Sequence, residues 1–212
     1  MSFMRSTTCV PMTTGLLFVW VCLCSSMLRV PVASGAQGLK TKLVAKYYGI
    51  EKCKDKESLF HFANVSYVLH DDGGTLVNAI LDFLVPISSF KTIVVNINRC
   101  AGGVASNLCE YYTRWTWSTA ICSLLVTKNM IWTPWVECIK PTFKCPVPAI
   151  RRYCTNCSLD LRLADSMGLR FVDKYIWDTE IQLWSERNQL AFCMTMYFEP
   201  QRVPTHKSGS KS

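Results

Sequence analysis

The cysteines are the residues of this chain with the clearest capacity for chemistry. Twelve are present, of which three precede Ala36 and nine follow it. Cys154 and Cys157 have the spacing of a zinc-ligand pair, but a four-ligand site normally needs a second such pair, and the sequence contains none. In an oxidising compartment the nine would instead form a disulfide framework. Because nine is odd, at most four bridges form. The last thiol is either free and buried or paired with another chain, and we expect neither a metal nor a cofactor.

Residues suited to acid–base or nucleophilic catalysis are few. The three histidines are His61 in a predicted strand, His70 at its turn and His206 near the C-terminus. A catalytic serine or cysteine needs a positioned base, and no G-x-S-x-G motif is present. Asp71 and Asp72 are adjacent but stand beside two glycines, where turn formation explains them. The sequence therefore predicts no catalytic residue and no enzymatic activity.

The aromatic segment 130–135 indicates ligand binding more clearly than any residue indicates catalysis. It is apolar, interrupted by Pro134, and unlike a strand; its residues of interest are Met130, Ile131, Trp132 and Trp135. Such a loop can guard a cavity mouth or contact a membrane surface, where tryptophan is favoured. The alternative is that these side chains fold back into the core, which is the commoner position for aromatic residues.

Residues 1–36 are typical of a secretory signal peptide. They contain no acidic residue, carry Arg5 before the apolar run 15–24, and end in small residues up to Ala36. The competing interpretation is an uncleaved membrane anchor, but the apolar run is shorter than the roughly 20 residues that a span needs, and Arg29 interrupts its continuation. We expect a secreted, extracellular protein, with the lysosome as an alternative.

The remaining residues predict an all-β fold, because apolar and polar side chains alternate in several short runs separated by turn residues. The predicted strands are residues 43–48, 60–69, 76–83, 91–98, 159–163, 174–184 and 190–198. Residues 106–125 fit a helical stripe loosely and predict the one short helix. This pattern favours an immunoglobulin-like two-sheet β-sandwich or β-cup, with one domain over residues 37–200 and a polar tail over residues 201–212.

Two sheets that stand apart would enclose an apolar cavity, in which each buried methylene of a ligand contributes about 0.8 kcal/mol. Candidate lining residues are the inward strand positions Ile80, Phe83, Ile93, Val95, Trp177, Leu183, Phe192 and Met194. Each position is equally consistent with a filled core.

Two glycosylation triplets occur, at Asn64 and Asn156. The second has Cys157 in its middle, so a disulfide there would hinder modification. Asn64 is therefore the better candidate.

Residues 138–146, with their Cys145-Pro146 step, and the hairpin 181–193 ending in Phe192-Cys193 resemble the ML lipid-recognition superfamily. Residues 85–89 resemble its ganglioside-activator branch, and the chain is also similar to the insect CheB chemosensory branch. The resemblance covers roughly residues 53–198. It departs from the family where residues 147–153 lack the Gly-Tyr step that usually follows Cys-Pro.

The resemblance implies a β-cup around an apolar cavity and a set of disulfides. Cys53 would pair with Cys193, and Cys100 with Cys109. Cys145 would pair either with Cys138, as in the sterol-carrier branch, or with Cys122, as in the activator branch. A mutual bridge between Cys154 and Cys157 would be strained by their tight spacing.

These observations predict a secreted carrier of a lipid or another apolar small molecule. The alternative is a receptor cofactor, activator or chemosensory protein that presents such a ligand to a partner. Contact with a membrane surface or a receptor fits either function. Nucleic acid is not expected as a partner, because the net charge of +8 is scattered along the chain rather than clustered with aromatic residues.

Overall fold

A computed structural model of the chain describes residues 40–166 and 172–205. These residues belong to one compact unit, Leu39–Ser212. The predicted signal peptide, residues 1–36, lies outside the described residues, and so do His206 and the rest of the polar tail after Thr205.

The fold consists of two antiparallel sheets, which confirms the all-β two-sheet class. The strands are β1 (Thr41–Lys52), β2 (Phe60–Leu69), β3 (Thr75–Phe83), β4 (Phe90–Cys100), β5 (Cys109–Trp117), β6 (Ile139–Lys140), β7 (Arg151–Cys157), β8 (Ile176–Ser185) and β9 (Leu190–Pro204). The large sheet has the strand order β1-β9-β8-β4-β5, and the small sheet has the order β2-β3-β7-β6. All strand pairs of the two sheets are antiparallel, so neither sheet contains the helical crossover that joins parallel strands.

Side-chain alternation explains how these strands build a core. Successive side chains of a strand point to opposite faces, so a strand can bury one face in the core. In β3 the buried positions are Thr75, Val77, Ala79, Leu81 and Phe83, and the intervening ones are half-buried. The sheets meet through aromatic contacts such as Phe60 of β2 and Phe192 of β9, whose ring centroids lie 4.4 Å apart.

The turn between β2 and β3 is held by local polar contacts. Gly73 has a φ of +84°, which a residue with a side chain rarely adopts. The Gly74 amide donates a hydrogen bond to Asp72 Oδ1 at 3.0 Å, and Lys42 Nζ lies 2.7 Å from Asp72 Oδ2. Burial alone would raise the pKa of Asp72, but these two contacts and His70 hold it well below its usual range. Asp72 thus acts as a turn residue, as its position beside two glycines predicts.

Four disulfides cross-link the described residues: Cys53–Cys193, Cys100–Cys109, Cys122–Cys145 and Cys138–Cys157. The first two pairings are those that the family resemblance implies. Cys145 has the second of its two alternative partners, so a Cys138–Cys145 bridge is wrong. The Cys154–Cys157 bridge, which was expected to be strained, is absent, because Cys157 is bonded to Cys138 and Cys154 is free and buried.

The helical content differs from the prediction of at most one short helix. Three five-residue helices are present among the described residues: α1 (Ile121–Leu125), α2 (Thr133–Glu137) and α3 (Arg162–Ser166). Two 3₁₀ turns, Ser106–Leu108 and Val172–Lys174, accompany them. A helix of little more than one turn shows no repeated apolar stripe, so periodicity cannot detect it.

Three other element predictions are wrong in their positions. Of the predicted helix 106–125, residues 109–117 form strand β5, because they pair with β4 from Ile93 to Cys100, and only Ile121–Leu125 are α-helical. Residues 159–163 form no strand and lead into α3. The expected polar tail begins later, since β9 continues to Pro204 and pairs there with Thr41 of β1.

Candidate ligand-binding cavity

An apolar cavity of about 340 Å³ lies between the two sheets. Its walls come from both sheets and from the segments around the three helices. The lining residues are apolar or aromatic apart from Thr179, and none is charged. Such a wall offers a ligand no ionic partner and binds by removing hydrocarbon from water.

The large sheet forms one wall of the cavity through aligned rows of inward side chains. Strand pairing places Ile93 beside Leu183, and Leu183 beside Phe192. One row further along the strands, Val95 lies beside Ile181, which in turn lies beside Met194. All six side chains line the cavity. The alternation of apolar residues in β4, β8 and β9 therefore produces a continuous apolar surface rather than isolated contacts.

The opposite wall comes from the small sheet and from the residues that follow β6. Phe62, Leu81, Phe83, Ile139 and Phe143 line it. Phe143 also stacks against Phe90 of the large sheet, with the ring centroids 6.3 Å apart and the planes inclined by 14°.

Seven of the eight residues predicted to line a cavity do so: Phe83, Ile93, Val95, Trp177, Leu183, Phe192 and Met194. Ile80 is the exception. It lies an odd number of residues from Phe83 on the same strand, so its side chain is on the other face of β3. There it is half-buried and stands between Ala63 of β2 and Tyr153 of β7.

The aromatic segment contributes to the wall as a turn that leads into helix α2. Ile131, Trp132 and Trp135 line the cavity, and Met130 does not. Pro134 lies in the first turn of α2, where the missing amide hydrogen removes no helical hydrogen bond. The Trp132 indole donates a hydrogen bond to the carbonyl of Leu124 at 3.3 Å, which ties α2 to α1.

The exposed part of the cavity wall lies at the edge strand β5. Trp115 is 47% exposed and Tyr112 is 40% exposed, and both line the cavity. Tyr112 packs edge-on against Trp177 at 5.1 Å, and the Arg99 guanidinium lies 5.7 Å from the Tyr112 ring centroid. Sequence reasoning misses this position because it assigns residues 106–125 to a helix.

Arg152 is a buried cation beside the cavity wall. Its side chain is 1% exposed, and burial lowers the pKa of its guanidinium. The guanidinium donates hydrogen bonds to the carbonyls of Pro141 and Thr142 and lies 6.0 Å from the Phe143 ring centroid. Among residues 40–166 and 172–205 it has no carboxylate partner, and its Nε is unsatisfied. Arg152 thus holds the segment carrying Phe143 against the small sheet.

Tyr47 is the second buried residue with an unsatisfied polar atom in the described part of the chain. Its ring packs against two cavity-lining residues, Trp135 at 6.0 Å and Phe198 at 6.2 Å. Burial raises the pKa of its hydroxyl well above the usual range, so Tyr47 stays neutral.

The histidines considered for catalysis lie elsewhere. The His61 side chain is exposed on the edge strand β2. His70 Nδ1 lies 2.8 Å from Asp72 Oδ1 in the β2–β3 turn. Neither lines the cavity.

Two clusters of possible metal ligands occur within the described ranges, each with its three ligand atoms within 4.8 Å of one another. They are Cys138, Cys154 and Cys157, and Cys53, Glu180 and Cys193. Each contains a disulfide, whose sulfur atoms are not the thiolates that bind metals.

The two glycosylation triplets differ in their surroundings. Asn64 is exposed on the edge strand β2, at a bulge where its φ is +51°. Asn156 is exposed as well, but the next residue, Cys157, is buried in a disulfide. Glycosylation of Asn64 remains a prediction.

Comparison with protein-family models and with curated proteins finds no match to this sequence. Within the described ranges, no helix is long and apolar enough to cross a bilayer.

Proposed function

We propose that this protein is a secreted carrier that binds a lipid or another apolar small molecule between its two β-sheets. The observation that carries the proposal is the cavity of about 340 Å³ without a charged lining residue. This volume is at the lower end of the range for small-molecule sites, about 300–1,000 Å³. It suits one acyl chain or one small ring system.

Burial of hydrocarbon supplies enough free energy for such binding. About ten methylene groups, at about 0.8 kcal/mol each, contribute roughly 8 kcal/mol, which corresponds to a micromolar dissociation constant. The free-energy cost of ordering the ligand makes the net affinity weaker than this. The proposed carrier therefore needs no catalytic group, only a dry wall and a route of entry.

Membership of the ML lipid-recognition superfamily is part of the proposal. The two-sheet architecture and the Cys53–Cys193 bridge support it, since the resemblance implies both, and Cys122–Cys145 is the pairing of its activator branch. Secretion is supported by four disulfides, which are typical of oxidising compartments, and by the leader-like residues 1–36.

A second candidate function is presentation of the ligand to a receptor or another partner protein. It is favoured by β5, an edge strand of the large sheet that exposes Tyr111 (69%) and Trp115 (47%). Aromatic residues are enriched at protein interfaces. A stable heterocomplex on co-purification would favour this function over a simple carrier.

Displacement of a fluorescent fatty acid tests binding in the cavity. Val95→Phe places a ring in the cavity from the central part of β4, and we expect it to weaken fatty-acid binding by about ten-fold or more. Ile80→Phe is the matched control, because Ile80 is also β-branched but lies on the outer face of β3. Equal affinity of the wild type and Val95→Phe, or no measurable binding by the wild type, would contradict the proposal.

A further inference from the structure

Three sulfur atoms lie together beside the small sheet. The Sγ atoms of Cys138, Cys154 and Cys157 are all within 4.8 Å of one another. Cys138 and Cys157 form a disulfide, and Cys154 is the free cysteine of the described residues. A buried thiol is therefore held in contact range of a disulfide that it does not belong to.

Strand pairing explains why Cys138 has two neighbours on the same strand. Ile139 of β6 pairs with Cys154 of β7, and Cys138 is the residue immediately before Ile139. Cys157 follows further along β7, after Asn156, whose φ of +56° turns the chain out of the regular strand path. Cys154 is thus nearer to the pairing of β6 with β7 than Cys157, the actual partner of Cys138, is.

We propose that Cys154 is an internal exchange partner of the Cys138–Cys157 disulfide, so that Cys138 alternates between Cys157 and Cys154. The Cys154 thiol gives up its proton, and the resulting thiolate attacks Sγ of Cys138. A Cys138–Cys154 bond forms, the Cys138–Cys157 bond breaks, and the Cys157 thiolate takes up a proton. The number of thiols and disulfides is unchanged, so no oxidant or reductant is consumed.

The two bridged forms are close in loop-closure entropy. The present bridge spans 19 residues, and the alternative bridge is three residues shorter. Because this entropy changes only with the logarithm of loop length, it does not favour either form appreciably. Burial raises the pKa of the Cys154 thiol to about 12, so the reactive thiolate is scarce near neutral pH and the exchange is slow.

The exchange would act on the cavity wall through α2. Cys138 directly follows this helix, and Trp135 and Val136 of the helix line the cavity. The partner of Cys138 therefore determines where the end of α2 is tied to β7. Exchange would move these two side chains and alter the shape of the wall.

Disulfide mapping of the protein produced in a secretory host tests the proposal. The protein is held in a glutathione redox buffer and quenched in acid, and the remaining thiol is alkylated. Tandem mass spectrometry then locates the alkyl group. We expect it on Cys157 in one fraction, which carries a Cys138–Cys154 bridge, and on Cys154 in the rest. Alkylation of Cys154 alone, or a Cys154–Cys157 bridge, would overturn the proposal.

Two variants separate local exchange from general scrambling. Cys157→Ser should form the Cys138–Cys154 bridge and leave no alkylated cysteine among the three. Cys145→Ser is the matched control, because Cys122 and Cys145 belong to no such cluster in the described residues. Its Cys122 should be alkylated. A Cys157→Ser protein with two alkylated thiols, or a new bridge to Cys122 in the control, would contradict local exchange.

Discussion

Filling the cavity should cost far less stability than filling the solid core. Val95 of β4 lines the cavity, whereas Val77 of β3 is 0% exposed and does not line it. Replacement of either valine by phenylalanine adds the same atoms. The two variants therefore apply the same substitution to a site that faces open space and to a site that is fully packed.

The expected changes follow from what surrounds each side chain. At Val77 the larger ring must displace its packed neighbours, and overpacking of this kind costs about 1–3 kcal/mol. At Val95 the ring enters empty space of about 340 Å³ and removes further apolar surface from water. Four added carbons at about 0.8 kcal/mol each set an upper limit of roughly 3 kcal/mol of stabilisation, so Val95→Phe should be between neutral and that value.

Urea denaturation of the ligand-free proteins with disulfides intact measures both changes. We expect the midpoint of Val77→Phe to fall and that of Val95→Phe to stay or rise, with similar slopes for the three proteins. A loss of stability in Val95→Phe equal to that in Val77→Phe would show that the space between the sheets is filled in solution. The carrier proposal would then lose its physical basis.

Three further predictions concern the bridges, the β2–β3 turn and the surface. Cys122→Ser removes a bridge that spans 23 residues and should lower the free energy of unfolding by about 3 kcal/mol, measured in urea without reductant. Asp72→Asn should cost up to about 1 kcal/mol at pH 7. Because the folded-state pKa of Asp72 is depressed, this cost should be present above its unfolded pKa of about 3.9 and disappear as the pH falls through the folded value; a cost that does not decrease between pH 7 and pH 2 would contradict it. Asn64→Gln should remove one glycan mass from the secreted protein and Asn156→Gln none; an unchanged mass for Asn64→Gln would refute the assignment.

Alternation of side chains predicts the parts of the fold that have one buried face. The C-terminal hairpin is predicted as strands 174–184 and 190–198, and it is observed as β8 and β9. Its turn closes where predicted, with the Ser185 amide donating to the Gln189 carbonyl at 2.9 Å. The same alternation brings seven of the predicted cavity residues together, because they occupy one face of the large sheet or its facing strand.

The edge strand β5 is harder to predict because both of its faces are largely exposed. In β5 only Cys109, Thr113 and Trp117 are half-buried, and the remaining residues are exposed. The helix prediction comes instead from Leu108, Tyr111, Tyr112 and Trp115, whose i, i+3, i+4, i+7 spacing is that of a helical stripe. The pairing with β4 that overrides this stripe is not visible locally. For the same reason the sequence does not predict the exposed side of the cavity at Tyr112 and Trp115.

The partner of Cys138 depends on distant structure. Its bridge to Cys157 requires α2 to end beside β7 and Asn156 to adopt a left-handed conformation. Sequence spacing contains neither fact, since connectivity cannot be deduced from cysteine positions alone. The position of Ile80, in contrast, can be predicted from the sequence. Ile80 and Phe83 are three residues apart on one strand, so their side chains must lie on opposite faces.

Native mass spectrometry of the protein, purified from a secretory host without detergent, tests the central claim most directly. We expect a fraction of the molecules to carry the additional mass of one hydrophobic ligand, and this fraction to be lost from Val95→Phe and retained by Ile80→Phe. The bare polypeptide mass in all three proteins, unchanged after incubation with a fatty acid, would contradict an apolar cavity that binds ligands.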